Sequence, residues 1–232
     1  MNSENLILAL DGMNKSEALS MVSILPELKW VKVGLELFVH SGPEIISELK
    51  ETGVKVFLDL KFHDIPETMA RACYQASITG ADLISIHACS GKYAMQKAVE
   101  ASIDGSNNAG LSIPKILAVT VLTSWNDRAL GSDLLINQAI NKRVEHFAQL
   151  SNEAGVGGCI CSPLEVEQLR NIFPVPFELV TPGIRNKDDT LSDQVRTMTA
   201  SQAINSGASK IVVGRPITKA LDPISSFNSF CN

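Results

Sequence analysis

Short apolar runs alternate with stretches of helical spacing along nearly the whole chain. The runs that predict strands are Leu6 to Asp11, Trp30 to Gly34, Lys55 to Leu60, Leu83 to His87, Lys115 to Leu122, Gly158 to Cys161, Phe177 to Thr181 and Ile211 to Gly214. They are nearly continuous in apolar residues rather than strictly alternating, the pattern of parallel strands covered on the outside by helices. The clearest helix between them runs from Ser132 to Ala154, where Ile136, Ile140, Val144, Phe147 and Ala148 share a face. Ser132 is its expected N-cap and Gly155 its stop. Thr199 to Gln202 fits a capping box, and Gly207 ends that helix just before the last strand.

Eight such units in 232 residues leave about 29 residues apiece, enough for a strand, a helix and two short connections. No Pro/Ser/Gly linker or low-complexity tract divides the chain. The predicted fold is therefore α/β, a single (β/α)8 TIM barrel over residues 1–232. The rival, an open doubly wound sheet, normally marks its first βα turn with a Gly-rich dinucleotide fingerprint. That turn here reads Leu8-Ala9-Leu10-Asp11-Gly12-Met13-Asn14.

Composition agrees with one sizeable buried core: 45% of residues are apolar and 19% charged. A net charge of −5 with no block of Lys/Arg argues against nucleic acid as a partner. No apolar run approaches the ~18 residues that span a bilayer, so no membrane partner is expected. The N-terminus has no basic residue before its short apolar stretch, which points away from a secretory signal and towards the cytoplasm. Five cysteines, Cys73, Cys89, Cys159, Cys161 and Cys231, form no CxxC pair and read as buried, reduced thiols.

In a barrel of this kind the chemistry sits at the C-terminal ends of the strands. The polar residues there are Asp11, Lys32, Asp59 with Lys61, His87, Thr123 with Ser124, Thr181, and Gly214 with Arg215. Strand period two puts Phe57, Asp59 and Lys61 on one face, and Asp64 follows just before Pro66 opens a helix. Lys32, mid-strand among β-branched residues, must be buried and so must be paired. These charges form either a structural ion network or a preorganised site, in which a lysine held between carboxylates stays protonated and serves as a general acid. At the other side of the rim, Gly214 lets a backbone N–H approach an anion and Arg215 offers a planar fork for phosphate oxygens. The long polar connection from Pro182 to Met198, carrying Arg185 and Gln194, is a candidate lid. Asp11 either accepts from a sugar hydroxyl or caps its turn. His63 and His87 either line the pocket or are packed and satisfied locally. No two histidines have metal-ligand spacing, and no cofactor motif is visible.

Six motifs together resemble those of the bacterial-type orotidine 5′-phosphate decarboxylases: LALD ending at Asp11, VKVG around Lys32, DLKFHDIPET from Asp59 to Thr68, VTVLTS ending at Ser124, LVTPGIR ending at Arg185 and VVGRPIT from Val212 to Thr218. The DxKxxD core alone is shared with phosphosugar decarboxylases, so a metal-dependent phosphosugar decarboxylase or isomerase is the alternative. A non-catalytic sensor of phosphate ligands is a second rival. The resemblance implies a carboxy-lyase with no metal or other cofactor that converts orotidine 5′-phosphate to UMP and carbon dioxide, the last step of UMP biosynthesis. It implies that Lys32, Asp59, Lys61 and Asp64 form the catalytic array, with Lys61 delivering the proton. Asp11 and Lys32 would hold the ribose, Thr123 and Ser124 would line the site with Ser124 reading the pyrimidine, and Gln194, Gly214 and Arg215 would bind phosphate. Ile65, Pro182 and Arg185 count among the substrate contacts. It further implies a homodimer in which Asp64 and Thr68 reach the partner's site.

Overall fold

A computed structural model describes residues 2–185 and 197–231. Among these residues eight parallel strands close in sequence order into a barrel, each hydrogen-bonded to the next. They are β1 (Leu6–Ala9), β2 (Trp30–Gly34), β3 (Lys55–Phe62), β4 (Leu83–His87), β5 (Lys115–Val119), β6 (Gly158–Ile160), β7 (Glu178–Thr181) and β8 (Lys210–Val213). The helices around them are α1 (Lys15–Ser23), α2 (Leu35–Ser41), α3 (Glu44–Glu51), α4 (Pro66–Ser77), α5 (Lys92–Ala109), α6 (Asp127–Leu134), α7 (Ile140–Glu153), α8 (Val166–Ile172), α9 (Ala200–Asn205), α10 (Arg215–Thr218) and α11 (Pro223–Cys231). The TIM barrel read from the apolar runs is the fold.

The runs are continuous because each strand has two apolar faces. In β1, Leu6 and Leu8 pack outward against the helices, while Ile7 and Ala9 point into the barrel. The inner layer is completed by Trp30, Phe57, Leu83, Leu117, Val119, Ile160, Val180 and Val212. Below it, at the N-terminal ends of the strands, the Lys55 and Lys210 ammonium groups lie 5.3 and 4.7 Å from the Trp30 ring centre, and Lys115 pairs with Glu178 at 2.7 Å. The barrel is thus plugged at one end and filled in the middle, leaving only the C-terminal end open.

Several boundaries differ from the sequence reading. β1 stops at Ala9, β5 at Val119, β6 at Ile160 and β8 at Val213, because the following residues leave the ladder to form the rim. Asp11, Thr123, Ser124 and Gly214 accordingly stand on loops. The helix expected from Ser132 to Ala154 is two helices. Asn126 caps α6 through a bond from the Ala129 N–H, and Leu135, left-handed at φ 55°, ends it. Ser132 lies inside α6 and is no N-cap; the N–H of Ile140, at the start of α7, donates instead to the Asp127 carboxylate at 2.8 Å. The period that continued through Ile136 belongs in fact to a linker. Gly155 does stop α7, at φ 75°, and the Thr199–Gln202 capping box is present on α9. Cys73, Cys159 and Cys161 are buried as expected, but Cys89 is exposed, in a single turn at the rim after β4, and Cys231 is half-buried. Burial pushes the Cys73 and Cys159 thiols up to about 12, which keeps them protonated at neutral pH.

The tightest backbone approach in the barrel is at Gly158, where an added Cβ would lie 2.3 Å from the Glu178 carbonyl oxygen and 2.8 Å from its Cα. Gly158→Ala should lower stability by ~1–3 kcal/mol, several degrees in Tm. Gly131→Ala, within α6 and with its nearest neighbour atom at 3.9 Å, should leave Tm equal or higher. Thermal denaturation of the two variants side by side checks both.

Candidate active site

At the open end the inner layer becomes the floor of a cavity of about 580 Å³, with Ala9, Phe57, Val119, Ile160 and Val212 at its base. One wall is an alternating row of charges. Lys32 Nζ lies 2.8 Å from Asp11 Oδ1 and 3.5 Å from Asp59 Oδ2, and Lys61 Nζ lies 2.7 Å from the same Asp59 oxygen. The Lys32 and Asp59 side chains are only 9% and 8% exposed, whereas that of Lys61 is 30% exposed on the cavity. Burial pulls the Lys32 pKa down, but Asp59 and Asp11 together outweigh it and the net shift is upward. Burial likewise pushes Asp59 up, and Lys32 and Lys61 more than reverse it, holding the carboxyl below its usual range. Lys32 and Asp59 are therefore both ionised at neutral pH. Gly34 makes room for the row: a Cβ there would meet Asp11 Oδ1 at 2.5 Å and Lys32 Nζ at 3.0 Å.

Lys61 reaches its position by a device that period two does not describe. Between Leu58 and Phe62 the register against β4 slips, four steps along β3 matching two along β4. Lys61 sits in this bulge at φ 51°, a left-handed conformation costing a non-glycine residue on the order of 1–2 kcal/mol. Its backbone N–H donates to Ser85 Oγ at 2.9 Å.

Thr123, Ser124, Pro182, Arg185, Gly214 and Arg215 line the same cavity, on the loops after β5, β7 and β8 and, for Arg215, at the first residue of α10. Gln194 and most of the candidate lid lie outside the described residues. The base of that connection is tied by an Ile184–Met198 bridge, with the Arg185 N–H donating to the Met198 carbonyl at 3.1 Å. Asp64, Ile65 and Thr68 are not brought to the cavity of their own chain. Asp64 is exposed and accepts the Ile65 N–H at 2.7 Å, and Ile65 is 66% exposed at the start of α4. Among the lining residues that escaped the sequence reading are Gly12, Val121, Leu122, Gly183 and Lys219. Lys219 follows Arg215 by one helical turn, its N–H bonded to the Arg215 carbonyl at 3.0 Å, so the i, i+4 spacing was the available signal. Among the described residues no three His, Cys, Asp or Glu side chains are grouped to hold a metal.

His87 is absent from the cavity lining and packs on His63, ring centres 5.6 Å apart, while His63 Nε2 lies 3.7 Å from Cys89 Sγ. Burial, aided by His63 and Lys61 and opposed by Asp59, pulls the His87 pKa down from 6.5 to about 4. The unfolded chain then binds a proton that the fold rejects. This contribution to stability is complete above pH 6.5 and is lost as the pH falls towards 4. His87→Asn should flatten that slope: between pH 7 and pH 5 the urea midpoint should fall less than in the parent protein, and an equal fall would refute the assignment.

A family model described as orotidine 5′-phosphate decarboxylase / HUMPS family matches residues 4–230. The chain is 56% identical over 229 residues to the orotidine 5′-phosphate decarboxylase of Prochlorococcus marinus (strain MIT 9211), covering 99% of this chain and 95% of that protein. It is 54% identical over 228 residues to that of Parasynechococcus marenigrum (strain WH8102), covering 98% and 93%. The crystal structure of orotidine 5′-phosphate decarboxylase from Lactobacillus acidophilus superposes with a TM-score of 0.86 at 36% identity, covering 98% of this chain and 97% of that one. With the match running end to end and the charged row, the cavity and the closed barrel all in place, the chain belongs to the orotidine 5′-phosphate decarboxylase / HUMPS family.

Proposed function

We propose that the cavity binds orotidine 5′-phosphate and that the chain is a carboxy-lyase releasing carbon dioxide to leave UMP, the last step of UMP biosynthesis. The observation that carries this reading is the row Asp11–Lys32–Asp59–Lys61 opening on a cavity whose opposite rim presents Gly214 and Arg215. The relatives named above support it.

When carbon dioxide departs, the electron pair of the broken bond stays on a pyrimidine ring carbon that has no conventional electron sink. Lys61 supplies a fixed ammonium against that charge and then transfers its proton to the carbon, to be reprotonated from solvent. Asp59 aims Lys61, and Lys32 in turn keeps Asp59 ionised. No metal or cofactor takes part in this scheme. Stabilisation is greatest where negative charge develops, so the row acts on the transition state more than on the bound substrate. Arg215 and Gly214, with Gln194, hold the phosphate, and that remote binding energy positions the ring. Asp11 and Lys32 hold the ribose, Thr123 and Ser124 flank the pyrimidine with Ser124 reading it, and Pro182 and Arg185 close the side after β7. We place Asp64, Ile65 and Thr68 over the cavity of a second copy in a homodimer. Their position outside their own chain's cavity fits this, and Asp64 would there complete the row beside the partner's Lys61. All five cysteines are free thiols, which fits a reducing compartment, and we assign the work to the cytoplasm.

Following the absorbance change as orotidine 5′-phosphate is consumed, with a chelator present, tests the function and separates it from a metal-dependent phosphosugar reaction. Lys61→Ala should cut turnover by at least ~10³-fold in a folded protein, and near-normal turnover would overturn the mechanism. Arg215→Ala should weaken UMP binding by ~10–100-fold by calorimetry. Mixed Asp64→Asn and Lys61→Ala subunits should regain activity through hybrid dimers; no recovery after confirmed subunit exchange would mean that each site is built from one chain.

A further inference from the structure

Ser85 is fully buried on β4, between Ile84 and Ile86 of the helix-facing core, and lies behind the cavity wall rather than in it. Its hydroxyl donates to Asp59 Oδ1 at 2.8 Å and accepts the Lys61 backbone N–H at 2.9 Å. The direction of the hydroxyl proton is unambiguous, because an ionised carboxylate only accepts and a backbone N–H only donates. The two Asp59 oxygens thereby have separate duties. Oδ1 is pinned by Ser85, and Oδ2 is left facing Lys61 and Lys32. At the same time the hydroxyl takes the place of the ladder carbonyl that Lys61 loses where β3 bulges away from β4. One side chain therefore fixes both ends of the Asp59–Lys61 pair, the main chain of the lysine and the rotation of the carboxylate that aims it.

We propose that Ser85 is a positioning residue for proton transfer, holding Lys61 in its left-handed bulge and turning the Asp59 carboxylate so that the ammonium points at the reacting carbon. The inference rests on Lys61 as the proton donor. A displacement of the donor on the order of 1 Å is enough to cost ~10²-fold in rate, while the phosphate and ribose contacts, made from other elements, are untouched. Loss of the hydroxyl also removes a bond to the ionised form of Asp59, so the pH below which kcat declines should move upward.

Ser85→Ala should lower kcat by ~30–100-fold with UMP affinity within ~3-fold of the parent, and should raise the acid limb of the kcat profile. Ser85→Thr, which restores the hydroxyl, should recover most of kcat and the parent pH profile. If Ser85→Ala does not fold, Ser85→Cys, of similar volume but a weak donor, is read in its place with the same split expected. A kcat within ~3-fold of the parent, a UMP affinity falling in step with kcat, or Ser85→Thr as slow as Ser85→Ala would each overturn the proposal. Lys61→Ala run alongside separates the two levels: an inactive Lys61→Ala with a normal Ser85→Ala refutes only the role of Ser85, whereas a near-normal Lys61→Ala refutes the mechanism beneath it.

Discussion

The open end of the barrel is organised by the need to keep one carboxylate, Asp59, ionised almost out of reach of water. Burying such a charge alone costs several kcal/mol, and the barrel meets that cost with two ammonium groups and a hydroxyl rather than by neutralising the acid. Each partner is then constrained in turn. Lys32 must lie on β2 and be flanked by Asp11, Gly34 must lack a side chain, and Lys61 must accept an unfavourable backbone angle to bring its ammonium back over Asp59. The chemistry and the local strain are two aspects of the same arrangement.

The barrel itself was legible because its signal is redundant. Eight apolar runs recur at similar spacing, and both faces of a parallel strand are covered, so errors of one or two residues at strand ends leave the topology unchanged. Asp59 was legible for a related reason, since Phe57 on the inner layer fixes the phase of β3. Lys32 declared itself through an elementary cost, a charged residue within an apolar strand. The Ser132 error shows the limit of periodicity: Ile136 lies in phase with α7 but belongs to the linker that separates it from α6, and nothing local distinguishes the two.

The features that escaped were those decided by a neighbouring strand. The left-handed backbone of Lys61 depends on where β3 slips against β4, and Ser85 reads along the chain as an ordinary small residue in a strand. The exposure of Cys89 depends on the short turn that follows β4. Asp64, Ile65 and Thr68 are drawn into the site by their motif, yet the fold leaves them outside the cavity of their own chain.

The lysines stacked on Trp30 at the closed end have a consequence for how the molecule responds to ionic strength. The apolar layer from Ile7 to Val212 separates them from the buried row above, so the barrel carries two charge systems in very different dielectric surroundings. Lys55 and Lys115, half in solvent, feel mobile ions that damp exposed charges over ~8–10 Å. Lys32 and Asp59 are almost wholly inside and feel little of them. Added salt thus acts on the foot of the barrel, and on an anion approaching the mouth, while the field that Asp59 and Lys32 impose on Lys61 persists.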